Sequence, residues 1–247
     1  MDASLSGTIA VVLAGGYGTR VRHLLPGVPK PMAPVAGRPF LEWILYYLRQ
    51  QGIARVIIST GYLAGVVSAH FARRTIPGLT VTCVAEEEPL GTGGGFLRAA
   101  RACGEKPEDW LLLNGDTLAF ADLKAMAGCL NAPGAQGVLL ARRVPDAARY
   151  GTLTVGPGGD LLGFEEKRAG EGIINAGVYW LRPSLLGQFP RGPVISLESE
   201  VFPAWVASRL ALKVHLTSAP FLDIGTPETL AQAETFVQQN LGQFGLS

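Results

Sequence analysis

The run Leu13-Ala14-Gly15-Gly16-Tyr17-Gly18-Thr19-Arg20 carries the strongest chemical signal in the chain. Its three glycines let the backbone approach a ligand closely and turn N–H groups outward, which makes a cradle for an anion. Between Gly15 and Leu41 the charged residues are Arg20, Arg22, Lys30 and Arg38, with no Asp or Glu among them. In a chain whose formal net charge is only +1, so one-sided a stretch points to a polyanionic ligand. Lys30 stands between Pro29 and Pro31, whose restricted backbone helps aim its ammonium group.

Two carboxylates complete the pattern. Leu111-Leu112-Leu113-Asn114-Gly115-Asp116-Thr117 reads as an apolar strand that delivers Asp116 to a sheet edge. Phe221-Leu222-Asp223-Ile224-Gly225-Thr226-Pro227 places Asp223 just before a helix. Alone, either aspartate could be a turn or cap residue. Combined with the basic glycine loop, they match the hard oxygen ligands of Mg²⁺, with phosphates and waters filling its octahedron.

Two other nucleotide chemistries are excluded. There is no Gly-Lys-Ser/Thr, so a P-loop is absent. A dinucleotide fingerprint beginning at Gly16 would need Gly or Ala where Val21 stands, and the second strand ends in Ser59-Thr60 rather than an acidic residue. Cys83, Cys103 and Cys129 form no Cys-x-x-Cys pair and read as reduced thiols. His23, His70 and His215 show no metal-ligand spacing.

These residues need a scaffold of strands ending at one edge. Thr8 to Ala14 is a continuous apolar run, expected for a strand covered on both faces. Strands are expected at 55–60, 79–85 and 110–114, alternating with helices at 39–51, 62–73, 94–103 and 123–130. That alternation implies a largely parallel sheet with helices on both faces. Short strands at 137–142, 151–155, 161–166 and 173–181 follow, separated by Gly, Pro and Asp turns, and suggest a hairpin-rich lobe on the sheet edge. A late strand at 212–216 and a helix at 227–239, with Pro227 in its first turn, close the chain. The expected fold is an α/β, Rossmann-like three-layer α/β/α sandwich with a mixed, mainly parallel sheet and a small β-rich lid.

All 247 residues read as one domain, with a first part to about 135, a second to about 226, then the closing helix and tail. Hydrophobic residues make up 48% and charged residues 17%, as in a globular rather than a disordered chain. Near-neutral charge gives no global field toward nucleic acid or membrane. No signal peptide and no spanning apolar run is visible, so the expected location is the cytoplasm.

In order along the chain, LAGGYGTR, PKPM (Pro29 to Met32), EEEPLGTGG (Glu86 to Gly94), NGDT, FEEK (Phe164 to Lys167), NAG (Asn175 to Gly177) and DIGTPE resemble the motifs of the nucleotidyltransferases that make nucleoside diphosphate sugars. They span Leu13 to Glu228, and the PLGTGG and DIGTPE versions look most like the bacterial D-glycero-α-D-manno-heptose 1-phosphate guanylyltransferases. Mannose-1-phosphate guanylyltransferases are the nearest rivals, and CTP or dTTP with a glucose phosphate is a further alternative. One departure is that Val21-Arg22-His23-Leu24 stands where many relatives carry Leu and a nearby Pro.

The resemblance implies transfer of GMP from GTP to a sugar 1-phosphate, heptose foremost, with Mg²⁺ as cofactor and surface polysaccharide as the destination. Arg20, Lys30, Asp116 and Asp223 would be catalytic, the two aspartates as metal ligands. Leu13, Ala14, Gly15, Gly16, Gly18, Thr19, Arg20, Glu86, Gly91, Thr92 and Asn114 would bind the nucleotide. Gly151, Glu166, Lys167 and Asn175 would bind the sugar phosphate. Glu86 would face the base, where a carboxylate can accept from guanine N1–H and N2–H₂. A catalytically silent nucleotide-sugar binder is the reading from another class, and it should have lost some of the four catalytic candidates; all four are present. Many relatives are homo-oligomers, but no residue here marks an interface.

Overall fold

The computed structural model of the chain describes residues 5–165 and 169–246. In chain order its elements begin with strand β1 (Ile9–Ala14), the two-residue strands β2 (Pro34–Val35) and β3 (Arg38–Pro39), and helix α1 (Phe40–Gln50). Next come β4 (Arg55–Thr60), α2 (Ala64–Arg73), β5 (Thr80–Ala85), α3 (Gly91–Ala102), β6 (Trp110–Asn114), β7 (Thr117–Ala119) and α4 (Leu123–Gly128). The remainder is β8 (Gly137–Val144), β9 (Thr152–Val155), β10 (Leu161–Glu165), β11 (Gly172–Leu181), α5 (Phe202–Ala207), β12 (Leu212–Thr217), β13 (Phe221–Asp223) and α6 (Pro227–Gln239).

The parallel part of the sheet runs β5-β4-β1-β6, and β1 is paired on both sides. Both faces of β1 are covered: Ala10, Val12 and Ala14 join the core beneath α1, α2, α4 and α6, while Ile9 and Val11 join the one beneath α3 and α5. That double burial is why its sequence shows no polar alternation. Helices therefore lie on both faces, and the mixed three-layer α/β/α architecture is the one expected.

The β-rich part grows out of the same sheet. The ten-residue β11 pairs antiparallel with β6 through Val178–Leu181, and with β8 along most of its length. At Ile174 it meets β9, which pairs with β10, while β12 runs parallel to β8. Gly177, at φ +70°, sits where the β8 register shifts, so one strand serves both the central sheet and the outer hairpins.

Three differences from the expected elements bear on the site. Helix α3 starts at Gly91, three residues before the expected Gly94, in spite of four glycines in its first turns. Gly93 and Gly95 are buried there, and tight packing against Ile195 and Glu86 outweighs their poor helix propensity. Strands β7 and β13 were not expected, being three residues each and too short for a periodic signal. Segment 183–207, also without an expected element, forms a 3₁₀ turn at Pro183–Gln188, a π turn at Leu197–Val201, and α5.

Candidate active site

The glycine loop leaves β1 at the carboxyl end of the parallel strands, where open α/β sheets hold ligands. Its packing leaves little room for side chains. A Cβ on Gly15 would stand 2.9 Å from Glu86 Oε1, and one on Gly115 would stand 2.8 Å from the Leu13 carbonyl. Gly18, at φ +58°, rests against the Lys30 Cβ. Lys30 opens a 3₁₀ turn whose next residues, Pro31 and Met32, are buried, so the anchored turn aims its ammonium group. That group donates to Asp116 Oδ2 in a close ion pair, with the Lys30 and Asp116 side chains 14% and 27% exposed.

The short β7–β13 ladder brings the two aspartates together. Asp223 is in register with Thr117, and the Ile224 N–H donates to the Asp116 carbonyl at 2.9 Å. The Asp223 carboxylate in turn accepts from Arg149 Nη2 at 2.9 Å, from the Tyr150 hydroxyl and from the Gly225 N–H at 3.1 Å. Burial, and then the neighbouring Asp223 charge, push the Tyr150 phenol well above its usual pKa, so it remains a donor. Just beyond, Thr226 caps α6 by accepting from the Thr229 N–H.

These pieces enclose a cavity of about 370 Å³. Ten of the expected residues line it: Leu13, Ala14, Gly15, Gly16, Lys30, Glu86, Gly91, Thr92, Asn114 and Asp116. Gly18, Thr19, Arg20 and Asp223 lie outside that lining. The Arg20 guanidinium instead comes within 3.0 Å of where a Cβ on Gly225 would be, beside Asp223. Glu86 is half-buried whereas Glu87 and Glu88 are exposed, which separates one member of the acidic triplet from its neighbours. Its two oxygens accept from Ser59 Oγ at 3.2 Å and from the Leu90 N–H at 3.1 Å. Asn114 lines the cavity, and its buried Oδ1 has no hydrogen-bond partner among the described residues.

Farther along, the Asn175 N–H donates to the Gly151 carbonyl at 2.9 Å, so these two expected sugar-side residues are adjacent. Glu166 and Lys167 fall outside the described residues. The sequence reading missed the chain of polar contacts that begins at Asn175. Its amide donates to the Tyr179 hydroxyl at 2.7 Å, which donates to Glu198 Oε1 at 3.4 Å. Glu198 Oε2 accepts from Thr92 Oγ1 at 2.8 Å, and Thr92 accepts from the Leu197 N–H at 2.8 Å. Burial, with Glu198 nearby, raises the Tyr179 phenol well above its ordinary range. Tyr17 and Tyr62, ring centroids 5.4 Å apart with the Arg22 guanidinium over Tyr62, were also missed; Tyr17 is half exposed at the cavity. Three aromatic or charged residues scattered among loops give no periodic signal.

Among the described residues no group of three or more His, Cys, Asp or Glu side chains could hold a metal ion. Asp116 and Asp223 offer two hard carboxylates on adjoining strand ends, a set that fits Mg²⁺ only when phosphate oxygens and waters supply the rest.

This fold and site define a nucleotide-handling α/β protein, and comparison with known proteins narrows the class. The nucleotidyl transferase family model matches residues 9–240, and the chain belongs to that family. It is 34% identical to D-glycero-alpha-D-manno-heptose 1-phosphate guanylyltransferase of Aneurinibacillus thermoaerophilus, covering 93% of this chain and 98% of that one. Mannose-1-phosphate guanylyltransferase of Mycobacterium tuberculosis is 37% identical over 89% of this chain, which spans only 61% of that longer relative. Among solved structures, HddC from Yersinia pseudotuberculosis complexed with GMP-PN superposes with a TM-score of 0.80 at 32% identity, covering 92% of this chain and 98% of that one.

Among the described residues no helix is long and apolar enough to cross a membrane.

Proposed function

We propose that the chain, in the cytoplasm, transfers GMP from GTP to D-glycero-α-D-manno-heptose 1-phosphate, yielding pyrophosphate and the GDP-heptose that surface polysaccharide synthesis consumes. The observation that carries this reading is the convergence of the glycine loop, Lys30 and Asp116 at one cavity, with Asp223 on the strand beside Asp116. The near full-length likeness to heptose guanylyltransferases supports the choice of sugar.

A phosphate oxygen of the sugar 1-phosphate attacks the α-phosphorus of the nucleotide. The new P–O bond forms in line with the α–β bridging bond, which breaks with its electron pair leaving on pyrophosphate. Such chemistry needs positioning and charge neutralisation rather than a covalent catalyst. The N–H groups of the glycine loop and Arg20 hold the triphosphate. Lys30, held on Asp116 before substrates arrive, is placed to bridge the α-phosphate and the incoming phosphate. Asp116 and Asp223 would hold Mg²⁺, which when bound screens the repulsion between the two anionic substrates. Tyr150 and Arg149 fix Asp223, and through Tyr150 they tie it to the loop before Gly151. Gly151, Asn175 and, by resemblance, Glu166 and Lys167 meet the sugar phosphate.

Glu86 supports guanine. With each oxygen already accepting one hydrogen bond, it retains lone pairs for two donors of the base. The selectivity of GTP over dTTP should fall about tenfold in Glu86→Gln. Unaltered selectivity would remove Glu86 from base recognition.

The test is pyrophosphate release with Mg²⁺, crossing five nucleoside triphosphates with heptose, mannose and glucose 1-phosphates. GTP with heptose 1-phosphate should turn over fastest. The second reading, mannose 1-phosphate, is favoured by the 37% identity to the mycobacterial relative, and a higher rate with that sugar would replace the first. No turnover with any pair, in a folded protein that still binds nucleotide, would overturn catalysis itself.

A further inference from the structure

The tip of the glycine loop, residues 16–19, carries Gly16, Gly18 and Thr19, all expected to hold nucleotide. Two glycines in four residues give this arc wide backbone freedom, and ordering it only when a ligand arrives would cost affinity. Hydrogen bonds do little to hold it. Among the described residues Gly16, Tyr17 and Thr19 make none, and a Cβ on Gly16 would meet nothing within 4 Å. The tip is tied instead by an aromatic contact. The Tyr17 and Tyr62 ring centroids are 5.4 Å apart at an interplanar angle of 43°, within the range where ring pairs attract.

Tyr62 is a firm post for that contact. It stands two residues past the end of β4, and its N–H donates to the Gly15 carbonyl at 3.1 Å. Before it, Gly61 packs so closely that a Cβ would stand 2.7 Å from the same carbonyl. After it, Leu63 takes φ +54°, and the Ala64 N–H donates to the Gly61 carbonyl at 3.0 Å, closing a turn into α2. The exit of the glycine loop returns to the same ring. Val21 is buried, its N–H donates to the Gly18 carbonyl at 3.0 Å, and the Arg22 guanidinium stands 4.9 Å from the Tyr62 centroid. One residue therefore meets the loop at its start, its tip and its exit. Yet Tyr62 does not line the cavity, and its hydroxyl has no hydrogen-bond partner among the described residues.

We propose that Tyr62 is a positioning residue for the nucleoside triphosphate. Its ring pre-orders the loop through Tyr17 and Arg22, and so lowers the cost of gripping the phosphates beyond the first. The ligand rests on the proposed function; the ring contacts do not. The test is calorimetric titration of the full chain with GTP and with GMP, each with Mg²⁺. Tyr62→Ala should weaken GTP about tenfold and GMP by less than about twofold, because GMP lacks the phosphates held by the tip. Its KM for GTP should rise while kcat stays within about threefold. Tyr62→Phe keeps the ring and should match the wild type with both nucleotides. Tyr17→Ala, at a half-exposed position, should reproduce the selective loss, and the Tyr17→Ala, Tyr62→Ala double variant should be no weaker than the weaker single one. Should Tyr62→Ala not fold, as judged by circular dichroism, the Tyr17→Ala titrations decide. Equal losses of GTP and GMP, losses that add in the double variant, or a Phe variant as weak as the Ala one would overturn the proposal. If the wild type binds another base better, that nucleotide's tri- and monophosphate replace GTP and GMP. Selective loss without guanylyl transfer would overturn the proposed reaction alone; normal transfer with unselective loss would overturn the positioning role alone.

Discussion

At the start of α3 the wall of the active-site cavity is main chain; behind it, from Thr92 through the Leu197–Val201 turn to β11, runs a relay of side chains. The first wall depends on missing atoms. Gly91 has φ +75°, and a Cβ there would lie 2.5 Å from the Ile195 carbonyl. The second depends on mutual contacts, each of Asn175, Tyr179, Glu198 and Thr92 being held by the next. A backbone wall suits triphosphate, whose oxygens are alike whatever the base. A side-chain relay can be changed residue by residue without rebuilding the strands. The same division explains why motifs cluster on one side: absolute steric demands leave a residue signature, whereas a relay can be built from many residue sets.

The contrast can be tested by perturbations of decreasing size. Lys30→Ala and Asp223→Ala, which remove charge at the reacting centre, should each lower kcat at least ~100-fold, about 3 kcal/mol, with the fold retained. Steady-state kinetics with circular dichroism as a folding control would decide it, and near-normal turnover in either would remove that residue from the chemistry. Gly91→Ala should cost about 2 kcal/mol of stability, read as a lower urea midpoint, because the backbone cannot yield at that contact. An unshifted midpoint would mean the nucleotide-side wall is softer than its geometry implies.

Away from that wall the effects should be smaller. Glu198→Gln keeps the size but misplaces a donor between Thr92 and Tyr179, so kcat/KM for the sugar phosphate should fall roughly tenfold. Little change in the KM for GTP would keep the defect on the sugar side; a large one would place Glu198 with the nucleotide wall. Tyr150→Phe, which deletes one of several contacts to Asp223, should cost only about threefold in kcat/KM. A loss as large as that of Asp223→Ala would make Tyr150 part of the reacting centre.

Much of the scaffold was legible along the chain. Strands β4 and β6 and helix α6 were expected to the residue, since long apolar runs, a capping Thr226 and Pro227 are local signals. The early start of α3 was not, because a glycine-rich turn looks unhelical until Ile195 and Glu86 are seen packed against it.

What the sequence by itself determined is the inventory: a glycine cradle, an acid-free basic stretch, Lys30 between prolines and two aspartates after apolar residues. Each follows from backbone freedom, charge or side-chain type, which are properties of neighbours in the chain. Only the tertiary structure decided which of them share a site. The three-residue ladder of β7 and β13 sets Asp223 beside Asp116 across more than a hundred residues, and the Glu198 relay ties Thr92 at the cavity to Tyr179 and Asn175 on β11. Contacts of that kind depend on how elements pack, and packing leaves no period in the sequence.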